Sequence, residues 1–314
     1  MAHEARVTVL GSINVDTILS VAALPGAGET VMAHASARLP GGKGANQAVA
    51  AARMGASVAM IGAVGDDADG AWMRGVLAGD GVDVAAVQTL PVATGAAYIA
   101  VDRAAENLIV VAPGANAALN AAHLPATFPG VLLAQLEVPV ATVAAALAHA
   151  EGLRVLNAAP AARAAAMLFA ECDVVIVNEH ELACYADTGA LRDIVAVETA
   201  ARPLLCRPGQ TVVVTLGAAG ALAVFAERAI HVPARQVVPV DTVGAGDCFC
   251  GALAAELACG IALAEALETA NAAAALCTLS RGAVPAMPRR AAVTAMLAED
   301  RAPPIKNAAP GQID

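Results

Sequence analysis

The sequence predicts an α/β fold, a mainly parallel central sheet flanked by helices, with a small second β-sheet beside it. Three observations point there. Short apolar runs that read as buried strands alternate with longer alanine-rich or amphipathic stretches that read as helices. Strand–helix–strand order calls for right-handed crossovers, which make neighbouring strands parallel and cover both faces of the sheet. Polar residues suited to ligand contact fall at the carboxyl ends of the strand-like runs, where open parallel sheets bind ligands.

The elements follow in order. Arg6–Leu10 is an apolar run closed by Gly11, and Gly44–Met54 reads as a helix ended by Gly55. Ser57–Ile61 reads as a strand and Ala68–Leu77 as a helix. Strand-like Val131–Gln135, helix-like Val140–Ala150, and strand-like Arg154–Asn157 and Asp173–Val177 come next, with a helix opening at Asn178. Thr211–Thr215 and Ala221–Phe225 are strand-like across a Gly217/Gly220 turn, and Ala245–Cys259 and Ala262–Leu279 read as long helices. Two stretches break the alternation. Val15–Leu39 is strand-rich without a clear helix, and Thr94–Val111 reads as two strands joined by the polar turn Asp102–Asn107. They pair into a small sheet or remain hairpins decorating an edge. No Pro-, Gly- or Ser-rich linker divides the chain. The expectation is one domain over residues 1–300, with the small sheet drawn from about 14–40 and 94–111, and a frayed tail over 301–314.

Composition narrows the function. The 314 residues are 58% hydrophobic but only 2% aromatic, so the apolar character comes from small side chains. No uncharged stretch matches the ~20 apolar residues of a bilayer crossing, and the first residues lack a secretory pattern. A net charge of -10 repels phosphate backbones and argues against nucleic acid as a partner. The seven cysteines form no C-x-x-C pair, so they read as buried free thiols of a reducing, cytoplasmic compartment. The six histidines are dispersed, without metal-ligand spacing.

Five motifs carry the chemistry. Asp241-Thr242-Val243-Gly244-Ala245-Gly246-Asp247 runs into a predicted helix. Its small residues expose backbone N–H groups at a positive helix end, an anion hole for phosphoryl oxygens, and Asp247 can accept a proton beside it. The same residues also read as a helix cap and a turn. Gly41-Gly42-Lys43-Gly44-Ala45-Asn46-Gln47 is a glycine-rich helix entry that fails the Walker pattern at Ala37 and Gly44. Asn46 suits a sugar hydroxyl because an amide both donates and accepts. Asn14 and Asp16 project to one side of an extended chain, as vicinal hydroxyls require, or form an Asx turn. Glu137 closes a hydrophobic strand as a ligand contact or an exposed cap. Asn178 and Glu181 share a helix face, fit either to hold water on Mg²⁺ or to form a capping box.

Taken together, these motifs resemble the PfkB, or ribokinase-like, family of carbohydrate kinases. The resemblance runs from about Thr8 to Pro288 and also rests on Pro113–Leu119 and Gln135-Leu136-Glu137. It implies a ribokinase-like sheet with a β-sheet lid that forms a homodimer contact. It also implies transfer of the ATP γ-phosphoryl group to the 5-hydroxyl of D-ribose. Asp247 would be the general base and Gly244, Ala245 and Gly246 the anion hole. Asn14, Asp16, Gly42, Lys43, Asn46, Glu137 and Asp247 would contact the sugar. Asn178, Thr215, Gly217, Gly220, Gly246 and Asn271 would line the nucleotide site, with Glu181 reaching Mg²⁺ through water. K⁺ would sit near Asp241, Val243, Cys277, Ser280, Gly282 and Ala286, mostly on carbonyls. The family pattern is broken at Ala158, Val177, Asn271 and Ala286, and by the lack of a glycine before Glu106. Ala286, which offers only a carbonyl, bears on the cation loop. A kinase for fructose, 2-deoxyribose or a nucleoside is the alternative, although Tyr98 is the only lid aromatic to hold a base. A non-catalytic sugar-binding regulator would have little reason to keep Asp247 and its glycines.

Overall fold

The structure is a computed structural model, and it describes residues 5–104 and 106–299. The tail expected to fray and Ala105 of the polar turn lie outside the described residues. The chain begins with strand β1 (Arg6–Leu10), then β2 (Asn14–Ser20), β3 (Ala35–Gly41), helix α1 (Lys43–Arg53), β4 (Ser57–Gly65), α2 (Ala68–Gly79) and β5 (Val87–Leu90). There follow β6 (Gly95–Val101), β7 (Asn107–Ala112), β8 (Val131–Ala134), α3 (Val140–His149), β9 (Leu153–Asn157) and β10 (Val174–Asn178). The remainder is α4 (Glu179–Ala186), α5 (Ile194–Ala201), β11 (Thr211–Thr215), β12 (Ala221–Val224), β13 (Ala229–Val232), α6 (Ala245–Ala258), α7 (Leu263–Cys277) and α8 (Arg290–Glu299).

Nine strands form one sheet in the order β13-β12-β11-β10-β9-β8-β1-β4-β5. Pairing is parallel from β5 through β11, and β12 and β13 close one edge antiparallel. Alternate side chains enter two separate cores, as a two-residue period demands. Val174, Ile176 and Val213 face the core covered by α1, α6 and α7. Val175, Val177 and Val212 face the one covered by α3, α4 and α5. These runs are β-branched and apolar on both faces, the pattern of strands buried on two sides.

The two irregular stretches do pair. A second sheet runs β3-β2-β6-β7, with Asn14 opposite Gly95 in the parallel β2–β6 pair and opposite Gly41 in the antiparallel β2–β3 pair. The edge-hairpin alternative is thereby set aside. Elements the sequence did not reveal are β5, β13, α5 and α8. β5 is four residues long and half polar (Gln88, Thr89), so it carries no continuous apolar run.

Small side chains do a specific job in packing α1 on α6. A methyl group at Gly251 would lie 2.4 Å from the Gln47 carbonyl and 2.6 Å from Ala50 Cβ. Only glycine permits that approach, and it carries Asn46 and Gln47 onto the first turn of α6. All seven cysteines are free, as expected, but Cys206 and Cys259 are exposed rather than buried. Among the described residues no helix is long and apolar enough to cross a membrane.

Candidate active site

Gly244 precedes α6 with φ 77°, and a side chain there would strike Ala283 at 2.6 Å. It caps the helix without a side-chain hydrogen bond. Asp247, in the first turn and 8% exposed, is therefore not the cap. Its carboxylate instead accepts Asn46 Nδ2 on Oδ2 at 2.9 Å and Gln47 Nε2 on Oδ1 at 2.9 Å. Of the expected anion-hole donors, the Ala245 N–H is directed to the Thr242 carbonyl at 3.3 Å. Gly246 and Asp247 offer the remaining first-turn amides, and both residues line a cleft of about 130 Å³ with Lys43, Asn178, Glu181 and Thr215.

On one side of that cleft lie the residues expected to meet a sugar. The Glu137 carboxylate takes a hydrogen bond from the Ser12 hydroxyl and one from the Lys43 N–H at 3.2 Å, both on Oε2. Asn14 Oδ1 accepts Asn116 Nδ2 at 2.7 Å, which leaves the Asn14 NH₂ as the outward donor. Among the described residues Asn46 Oδ1 is buried with no partner, which leaves it an acceptor open to a ligand. Burial pushes the Asp16 carboxyl up to about 6, helped by the negative charges of Glu137 and Asp247. The Lys43 ammonium is held above its ordinary value, first by Asp247 and also by Glu137 and Glu181, against the cost of burial. Gly42 joins Gly41 to α1 at φ 88° and packs against the backbone of Ser12 and Asn14.

On the other side is a cavity of about 440 Å³. Asn178, Thr215 and Gly246 line both spaces, so the two are contiguous. Gly217, Gly220 and Asn271 line the larger one, as expected of nucleotide contacts. Asn271 Nδ2 donates to the Val232 carbonyl at 2.9 Å, so the Asn271 side-chain oxygen is what remains for a ligand. Asn178 and Glu181 form a reciprocal capping box, each side chain accepting the other's N–H at 2.8 Å. The capping and cleft readings hold together, because Glu181 also lines the smaller space, and burial raises its carboxyl.

The segment expected to hold a monovalent cation packs behind the anion hole. Asp241 accepts the Val243 N–H at 3.0 Å and the Gly282 N–H at 2.8 Å. The Thr278 carbonyl accepts Val240 and Asp241 amides, which ties this loop to the end of α7 at Cys277. Ser280 and Ala286 lie in the same returning segment, with Ala286 buried.

Sequence reasoning placed Asn157 at a strand end but gave no role to the amides of Gln47, Gln135 and Asn116. Gln47, Gln135, Asn157 and Asn116 are buried and hydrogen-bonded to one another or to site residues. These partners lie 88 to 200 positions away, so no local spacing betrays them. The only available signal was uncharged polar residues inside otherwise apolar or glycine-rich runs.

A carboxylate beside free helix amides, with a polar pocket on one side and a large cavity on the other, defines a phosphotransferase site. Comparison with known proteins narrows the class. Residues 4–290 match the pfkB family carbohydrate kinase profile. The chain is 36% identical over 292 residues to the ribokinase of Haemophilus influenzae, covering 90% of this chain and 95% of that one. It is 37% identical over 261 residues to the deoxyribokinase of Salmonella typhi, covering 79% and 84%. The structure of Arabidopsis thaliana ribokinase complexed with ribose and ATP superposes with a TM-score of 0.80 at 28% identity, covering 95% of this chain and 99% of that one. The chain belongs to the PfkB family of carbohydrate kinases and is an ATP-dependent sugar kinase.

Proposed function

We propose that the chain phosphorylates D-ribose at its 5-hydroxyl with ATP. The observation that carries this reading is the placement of Asp247. Its carboxylate is buried at a helix N-terminus, bonded to Asn46 of the sugar pocket and open to the cleft that continues into the large cavity. The sugar lies among Asn14, Asp16, Gly42, Lys43, Asn46 and Glu137. Asp247 takes the proton from the 5-hydroxyl as that oxygen attacks the γ-phosphorus and ADP departs. The N–H groups of Gly246 and Asp247, behind the turn set by Gly244 and Ala245, offset charge on the transferred group.

Glu181 and Asp247 in this cleft, with Asp16 and Glu137 close enough to act on Asp247 and Lys43, outnumber Lys43, so polyphosphate entering alone would be repelled. That imbalance suits Mg²⁺ arriving on the nucleotide, with Glu181 reaching its water shell. Bound Mg²⁺ neutralises phosphate charge. Asp241 ties the loop before α6 to the segment after α7, and K⁺ held by Asp241, Val243, Cys277, Ser280, Gly282 and Ala286, mostly through carbonyls, would keep the loop of the anion hole in place. The small sheet serves as a lid over the sugar. Its strand β7 is exposed along its length, with Leu108, Ile109, Val110 and Val111 uncovered, which suits a homodimer contact through the lid. The free thiols suit a cytoplasmic location.

The similarity to a deoxyribokinase gives 2-deoxyribose a specific standing as the second substrate. Initial rates with ribose, 2-deoxyribose, fructose and adenosine separate the readings. Ribose is expected to exceed each by ~10-fold or more in kcat/KM. A higher value for 2-deoxyribose would reassign the substrate within the same mechanism.

A further inference from the structure

The geometry points to Gln47 as a positioning residue for the base, acting through an oriented chain of buried amides. This rests on the reading of Asp247 as that base. Gln47 is 0% exposed, and both ends of its amide are already bonded within the fold, so nothing of it is left for a substrate. Among the described residues its side chain alone is bonded to Asp247 Oδ1, while Asn46 holds Oδ2.

The direction of the chain is set from a backbone carbonyl. Asn157 Nδ2 donates to the Ile176 carbonyl at 3.3 Å, so Asn157 turns its oxygen inward. That oxygen accepts Gln47 Nε2 at 3.0 Å. From the opposite side, Gln135 Nε2 donates to Gln47 Oε1 at 2.6 Å. The anchored Asn157 oxygen demands this orientation of the Gln47 amide, the Gln135 contact is consistent with it, and in it an N–H faces Asp247. The carboxylate is thus held in one rotation by a donor that cannot flip. Asn46 has a different position, because its free oxygen serves the sugar and its bond to Asp247 can loosen on binding. Gln47 has no such second duty. Among the described residues Gln135 Oε1 is buried without a partner.

The test is steady-state kinetics of Gln47→Met in two backgrounds, with folding checked by circular dichroism and melting. With Asp247 present, kcat is expected to fall ~10–100-fold, the cost of a misplaced catalytic group, with both KM values within about threefold. With Asp247→Asn already in place, adding Gln47→Met is expected to change the residual rate less than about twofold, because its effect runs through the lost carboxylate. A folded Gln47→Met enzyme with kcat within about threefold of the parent overturns the inference. So does an equal loss in both backgrounds, which a purely structural role produces. If Gln47→Met does not fold, Gln135→Met takes its place with an expected ~3–10-fold loss in kcat alone, and an unchanged kcat there counts against the inference. Near-parent activity in Asp247→Asn alone would instead remove the base reading on which this rests.

Discussion

Asn46 and Asp247 lie 201 positions apart, yet Asn46 Nδ2 donates to Asp247 Oδ2 at 2.9 Å. That bond joins the first turn of α1 to the first turn of α6, and so the proposed sugar pocket to the proposed phosphoryl end of the cleft. Asn46 also carries an unpartnered buried oxygen. Asn46→Ala is therefore expected to raise the KM for ribose ~10–100-fold, since a buried hydroxyl then goes unpaired, while the KM for ATP changes little. Initial-rate kinetics with each substrate varied in turn checks the split.

Asp16 gives the pH dependence a defined sign. Its carboxyl is raised from 3.8 to about 6, by burial first and by Glu137 and Asp247 second. Between those values the folded protein holds a proton that the unfolded chain has released. The stabilising contribution is full below about 4 and is lost as pH rises through about 6. Asp16→Asn should thus raise the melting temperature of the free enzyme at pH 8, with the difference shrinking towards pH 4. In the parent, kcat/KM for ribose should fall below pH 6 as the hydroxyl-binding carboxylate protonates, and this limb should be absent from Asp16→Asn.

The packing of α1 on α6 depends on Gly251, where any side chain would meet the Gln47 carbonyl and Ala50. Gly251→Val should cost ~1–3 kcal/mol of stability by overpacking. It should also lower kcat, because the same shift withdraws Asn46 and Gln47 from Asp247. Denaturant unfolding and turnover, measured on one preparation, test both halves.

Much of this site was legible before any coordinates. Glu137 and Asn178 sit where a parallel sheet exposes its strand ends, and the glycine-rich entry to α6 declares an anion-binding turn with Asp247 in it. The two cores were legible too, because β10 and β11 are continuous β-branched runs. Gln47, Asn116 and Gln135 were not, because their roles depend on which buried amide each one meets across the sheet. Glu181 shows a different limit. Its i, i+3 spacing from Asn178 fits a capping box and a cleft residue equally, and in the fold it is both. β5 escaped notice because an edge strand of four half-polar residues has no distinct period.

The cation loop offers a prediction independent of the base. Asp241 bridges the Val243 and Gly282 amides, so it holds the approach to α6 against the segment after α7. Replacing Na⁺ by K⁺ at fixed ionic strength should raise kcat or lower the KM for ATP, and Asp241→Ala should remove the response. Equal rates in the two salts would discard K⁺ and leave the sugar and nucleotide assignments intact.

Asp247 is the centre of the account, and Asp247→Asn tests it most directly. Asparagine keeps the shape and the backbone amides but cannot take the proton from the 5-hydroxyl. Steady-state kinetics on the folded variant should show kcat lowered by at least ~100-fold, with nucleotide affinity kept or slightly improved. A kcat within a few-fold of the parent would contradict the mechanism.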